Sequence, residues 1–154
     1  MLAPAVHNSL APPGYNDIAW NELLVRFVEP FDSPDLRRLH LLERLQAYLF
    51  QVASLEIEVE VWLGGSWVST KTSPNNVNLL LIFDRPALES LPPAYITRAK
   101  HLLDDRMQIS ATYECDVYWT TRNEQPLLAY WEDVFTTPDL PGGPVRSIFR
   151  LRLN

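Results

Sequence analysis

Hydrophobic residues recur along this chain with two different periods, and the switches between them mark out its elements. Ile57, Val59, Val61 and Leu63 alternate with Glu56, Glu58, Glu60 and Trp62, the two-residue rhythm of a strand. Residues 77–83 read as a second strand, and the continuous run Leu79-Leu80-Leu81-Ile82-Phe83 predicts burial on both of its faces. A third strand is predicted over 114–120. A closing one over 145–153 alternates Phe149, Leu151 and Leu153 with Arg150 and Arg152, the outward positions expected of an edge.

Between these runs the period lengthens to that of a helix. One helix is predicted to start at Asn16 or Asp17, with Ile18, Leu23, Leu24 and Phe27 on one side and Pro30 stopping it. Ser33 followed by Pro34 suits a helix entry, because serine can cap free amides and proline fits a first turn. That helix extends to about Ser54, with Leu42, Leu45, Leu49 and Val52 at helical spacing. Pro86 interrupts the chain, and Pro92-Pro93 opens a helix bearing Ile96, Ala99, Leu102 and Leu103. A short aromatic helix over 127–135 precedes a turn-rich stretch, 138–144. Pro4, Pro12, Pro13 and Gly14 make residues 1–15 an extended arm. No repeat or linker divides the remainder, so 16–154 reads as one domain with strands and helices interleaved in a helix-covered sheet.

Composition narrows the classes of function. At 154 residues, 47% hydrophobic and 21% charged, the chain can bury a real core. No apolar run approaches the roughly 20 residues that span a bilayer, so a membrane partner is not expected. The first ten residues lack the pattern of a secretory signal, and one cysteine, Cys115, suits a reducing compartment. A cytoplasmic location is expected. The net charge of −6 argues against nonspecific duplex binding. His7, His40 and His101 are scattered without zinc-ligand spacing.

Chemistry concentrates in one segment, Leu63-Gly64-Gly65-Ser66-Trp67, followed by a loop and Asn76-Val77-Asn78. Glycines allow backbone to approach a ligand closely, and a serine leaving a strand can offer its hydroxyl and amides to a phosphate. Asn76 and Asn78, two residues apart on a strand, project from one face. Acidic residues at that spacing would reach one or two Mg²⁺ ions and hold a nucleoside triphosphate in line with an attacking hydroxyl. Asp116 on the third strand is the candidate third carboxylate, with Glu114 on the same face ranked second. Lys71 could meet a triphosphate as a point charge or be a solvated loop lysine. Trp67, Trp119 and Trp131 could stack on a base, although core packing is the commoner role.

Gly65-Ser66-Trp67, Thr70-Lys71-Thr72-Ser73-Pro74 and Asn75-Asn76-Val77-Asn78 together resemble the minimal nucleotidyltransferases of the DNA polymerase beta-like superfamily. Small bacterial and phage members carry a Gly-Ser-Phe-like turn, a Thr-x-Lys-x-x-Pro-like loop and an Asn-Asp-Val-Asp-like strand start. Pro12-Pro13-Gly14 and the stretch from Tyr130-Trp131 to Ile148 extend the likeness over nearly the whole chain. The resemblance implies an α/β (α+β) fold, a nucleotidyltransferase-like mixed sheet of about four strands covered by helices. It implies Mg²⁺-dependent transfer of a nucleotidyl group from an NTP, with ATP the expected donor, to a hydroxyl acceptor. Gly65, Ser66 and Lys71 would then bind the nucleotide, and positions 76, 78 and 116 would hold the metals.

The chain departs from that pattern where it matters most, because Asn76 and Asn78 stand where aspartates would be. An amide keeps the shape but not the charge, and hard cations prefer anionic oxygen. Metal binding should be weakened and transfer impaired or absent. Two origins fit the paired exchange, a natural pseudoenzyme and an engineered inactive variant. The alternative function is a noncatalytic nucleotide- or partner-binding module, such as an antitoxin-like or phage-defence component. Its partners would be a nucleoside triphosphate and a second protein or a second copy of the chain, with nucleic acid only as an acceptor.

Overall fold

The computed structural model describes residues 7–31 and 36–154. Its centre is a five-stranded mixed sheet in the order β1-β5-β2-β3-β4. The strands are β1 (Gly14–Asp17), β2 (Val59–Gly64), β3 (Val77–Phe83), β4 (Cys115–Thr121) and β5 (Ser147–Leu153). β2 runs antiparallel to both β3 and β5, while β3–β4 and β1–β5 are parallel pairs. The helices are α1 (Leu23–Phe27), α2 (Arg37–Ala53), α3 (Arg85–Glu89), α4 (Pro93–Asp104), α5 (Arg106–Tyr113) and α6 (Gln125–Thr136). The architecture is α+β, as expected, with one strand more than the four anticipated.

The additional strand corrects the reading of residues 16 and 17 as a helix start. Asn16 and Asp17 belong to β1, which lies along β5 from Gly14↔Ser147 to Asp17↔Arg150. Their side chains are occupied locally: Asn16 Nδ2 donates to the Pro12 and Gly14 carbonyls, and Asp17 accepts from Arg150. Helical geometry begins only at the 3₁₀ turn Trp20–Glu22, where the Glu22 carboxylate accepts from the Ala19 amide. With β1 in place, β5 is an interior strand and not the edge that its arginines suggested. Arg150 and Arg152 are held by Asp17, Glu58 and Glu60. Residues 8 and 10 also pair, since Asn8 and Leu10 share main-chain hydrogen bonds with Thr70 and Val68. The helix entry read at Ser33 and Pro34 lies outside the described residues.

Two other elements differ from expectation. Pro86 does not merely interrupt the chain, because it sits in the first turn of α3, where a missing N–H costs little. α5 had no periodic signature. Only Ile109 of its eight residues is buried, and Met107 is 87% exposed.

Alternation sorts the sheet's side chains into two layers. Val59, Val61, Leu63, Val77, Leu79, Leu81, Phe83, Val117, Phe149 and Leu151 join the main core with α1, α2, α4 and α5. Trp62, Leu80, Ile82 and Ile148 point the other way and form a smaller cluster under Phe135 of α6. The phase read for residues 57–63 therefore holds, yet Glu60 and Trp62 are buried too, since their face is covered. The Trp62 indole donates to the Glu60 carboxylate there. Among the described residues, no helix is long and apolar enough to cross a membrane.

α2 contributes a buried cation as well as its apolar stripe. Arg38, 3% exposed, donates to the carbonyls of Phe27, Ser66, Trp67, Ser69 and Lys71, and lies over the Phe31 ring. Burial pulls its pKa down to about 10, which leaves it charged at neutral pH. Replacing it by methionine would strand several carbonyls that water cannot reach. We expect Arg38→Met to cost about 3 kcal/mol or more in urea denaturation, with Arg38→Lys recovering little, because an ammonium lacks the planar fork. Near-native stability of the lysine variant would contradict this account.

Candidate functional site

The second face of the sheet is only partly covered by α6, and the uncovered end is a cleft of about 510 Å³. Gly64, Asn78 and Asp116 stand side by side across β2, β3 and β4, because Gly64 pairs with Asn78 and Asn78 with Asp116. Gly65, Ser66, Asn78 and Asp116 line one side, and Tyr118, Tyr130, Trp131, Val134 and Phe135 supply an aromatic and apolar wall. Tyr118 and Trp131 are in ring contact, with centroids 4.4 Å apart. Thr137 and Arg146 complete the lining.

Both glycines have a structural reason to be glycine. A Cβ on Gly64 would come within 2.7 Å of the Phe135 ring, so its absence lets α6 lie against the sheet. Gly65 has φ 80° and ψ −164°, a conformation essentially reserved for glycine, and a Cβ there would meet Asn78 Nδ2 at 2.5 Å. The bend therefore brings backbone onto the Asn78 amide. Only a single 3₁₀ turn, Ser66–Val68, follows it, too short to add the field of a helix amino end.

The sequence-derived residues are only partly brought together. Gly65, Ser66, Asn78 and Asp116 share the cleft. Asn76, half-buried just before β3, is not among its lining residues, and neither is Lys71. The Lys71 backbone is bound into the loop by Arg38 and Ser69. Glu114 does not share the Asp116 face. It adopts a left-handed conformation (φ 53°) at the end of α5 and turns to α2, where it pairs with Arg37 at 2.9 Å and with His40. Of the three tryptophans, Trp67 is fully buried in the main core. Trp119 packs on that core and donates to Asp104. Only Trp131 faces the cleft. Cys115 packs inward, and burial pushes its thiol up to about 12.

Arg106, beside the cleft, is the residue that sequence reasoning missed. Its Nη2 donates to Asp116 Oδ1 at 2.6 Å and to the Tyr118 hydroxyl, and the guanidinium stacks 3.9 Å from the Tyr118 ring centroid. The bond to Asp116 raises its pKa above the ordinary arginine value. No local motif announces a pair ten residues apart, across a helix and a strand.

These donors fit a hard divalent cation poorly. Asp116 is the one carboxylate in the cleft lining and already carries Arg106, while position 78 offers an amide. Among the described residues, no group of three or more His, Cys, Asp or Glu side chains is placed to hold a metal ion.

Fold and cleft thus define an α+β protein with a polar and aromatic cavity at one end of a mixed sheet. The chain belongs to a family of unknown function (DUF6932), which it matches over residues 4–146. No curated protein and no solved structure matches it.

Two outcomes follow from this geometry. Gly65→Ala should cost about 2 kcal/mol, since it combines backbone strain with a collision. Adding Asn78→Ala should recover only the collision part, and a double-mutant cycle with no coupling would disprove the contact. At Glu114, burial acts to raise the pKa, but hydrogen bonds from His40 and Arg37 outweigh it and hold the carboxyl below its ordinary value. A depressed carboxylate stabilises fully above its unfolded pKa of about 4.3, and that contribution is lost as pH falls through the lower native value. Glu114→Gln should therefore be less stable by about 1 kcal/mol at neutral pH. The two proteins should converge in acid, as followed by urea titrations from neutral pH downwards.

Proposed function

We propose that this chain is a nucleotidyltransferase-like protein whose cleft takes a nucleoside triphosphate, and that nucleotidyl transfer to a hydroxyl acceptor is impaired or lost. The observation that carries this reading is the row Gly64, Asn78, Asp116 beside the Gly65–Ser66 bend. In an active protein of the resembling superfamily, carboxylates at such adjacent strand positions would sit beside a phosphate-binding turn. The cleft volume of about 510 Å³ falls within the usual range for small-molecule sites. Its aromatic wall suits a base, and its polar side suits sugar and phosphates.

The amides explain the expected loss of transfer. An asparagine at 78 neither draws a cation to the reacting phosphate nor accepts the proton of an attacking hydroxyl. Asp116 is the one carboxylate left beside it, and Arg106 occupies one of its oxygens.

The test is calorimetry with ATP and the other triphosphates, with and without Mg²⁺, on this chain and on Asn76→Asp/Asn78→Asp. Label transfer from ATP is followed in parallel. The chain itself should bind a triphosphate and transfer nothing measurable. The double aspartate should gain Mg²⁺-dependent affinity of about tenfold or more, because position 78 then places a second carboxylate beside Asp116, together with detectable transfer. Absence of nucleotide binding in both proteins would overturn the reading.

A further inference from the structure

We propose that Arg106, which borders this cleft through Asp116, takes the place of a divalent cation, so that the polyphosphate of a nucleotide is held by a fixed guanidinium and needs no metal. The inference rests on the reading of the cleft as a nucleotide site and specifies how that site holds its anion.

Arg106 is the first residue of α5 and leans over β4. Two contacts fix its plane: the Nη2 bonds to Asp116 and Tyr118, and the stacking on the Tyr118 ring. Arginine has five N–H donors, and these bonds engage only the two on Nη2. Among the described residues, Nε and Nη1 have no recorded hydrogen-bond partner, and the side chain is 48% exposed. A preorganised fork with a free edge is the geometry that receives a phosphate through two parallel bonds. Arg106 borders the hollow beside the cleft, whereas Arg146 is the cation of the cleft lining itself and differs on both counts. It is bound to Asp139 and only 16% exposed.

Charge at the site points the same way. A metal-using site needs several carboxylates, which repel a polyphosphate until the ion arrives. Here Asp116 is neutralised by Arg106, and Asn78 carries no charge and can donate from Nδ2. The amide at 78 and the arginine at 106 thus both favour direct contact with an anion.

The shape of the surface provides a path. A second hollow, about 450 Å³, adjoins the cleft and is lined by Arg106, Met107, Ser110, Ala111 and Asp116. Asp116 borders both cavities. A phosphate chain leaving the cleft past Asp116 would cross the free edge of Arg106 and approach the Ser110 hydroxyl.

The experiment measures ATP, AMP and inorganic triphosphate binding by calorimetry in EDTA and in Mg²⁺, on the full chain and on Arg106→Gln and Arg106→Lys. Unfolding temperatures identify any variant that fails to fold. The unaltered chain should bind ATP in EDTA about as tightly as in Mg²⁺. Arg106→Gln should lose about tenfold or more in affinity for ATP and triphosphate, the worth of charge-assisted bonds, and much less for AMP. Arg106→Lys should fall between, keeping the charge without the fork. ATP binding that requires Mg²⁺, or that Arg106→Gln leaves intact in EDTA, would overturn this proposal while the nucleotide reading stands. If no nucleotide binds any form in either buffer, both fall together.

Discussion

The Arg38 guanidinium is the contact on which the rest of the molecule depends. The segment from Ser66 to Lys71 has one 3₁₀ turn and no ladder of its own, yet its carbonyls face the protein interior. Buried main-chain oxygens must find donors, and here one side chain from α2 serves Trp67, Ser69 and Lys71, while the Leu10 amide serves Val68. The return bond from the Trp67 indole to the Arg38 carbonyl closes the arrangement. α2 is thereby tied to the bend at Gly65, and that bend sets the backbone against Asn78. A lysine could offer the charge but not the spread of donors. A residue in the first turn of α2 thus helps to hold the loop that borders a cleft on the opposite face of the sheet.

The cleft is best understood as a meeting of two layers with different demands. Its apolar side exists because α6 has to bury Phe135, and Gly64 is small enough to let it. Its polar side exists because three strands end there in register, leaving Asn78 and Asp116 beyond the reach of α6. Arg106 then settles the charge of the only carboxylate. On the reading proposed above, the pocket recognises an amphipathic ligand by these same two sides, and the energetic burden shifts from a captured ion to a resident side chain.

How much of this could be read in advance varies by element, for physical reasons. β3 was legible to the residue, because a run of five apolar side chains has few other uses. β2 was legible in phase, but not the burial of Glu60 and Trp62, which depends on a helix more than sixty residues later. β1 was misread because Gly14, Asn16 and Asp17 carry no strand signal and Tyr15 alone is too little; its pairing comes entirely from β5. The placement of Asn78 beside Asp116 followed from strand reasoning. The turning away of Glu114 did not, since it needed a left-handed residue and two partners on α2. Arg106 left no local trace at all. Contacts made across elements are what a linear pattern omits, and the site consists largely of them.

The position of β5 bears on how the protein comes into being. β2, β3 and β4 can pair as soon as residue 121 has emerged from the ribosome. β1 cannot, for its partner follows the other four strands along the chain, and Asp17 and Arg150 are separated by 133 positions. Until the final strand slides between β1 and β2, the apolar edge of β2 stays open and Phe27 lacks the ring of Phe149 against it. Pairings this far apart along the chain raise contact order, which slows folding in general. Of all the sheet's pairings, the insertion of β5 between β1 and β2 thus spans the greatest separation along the chain.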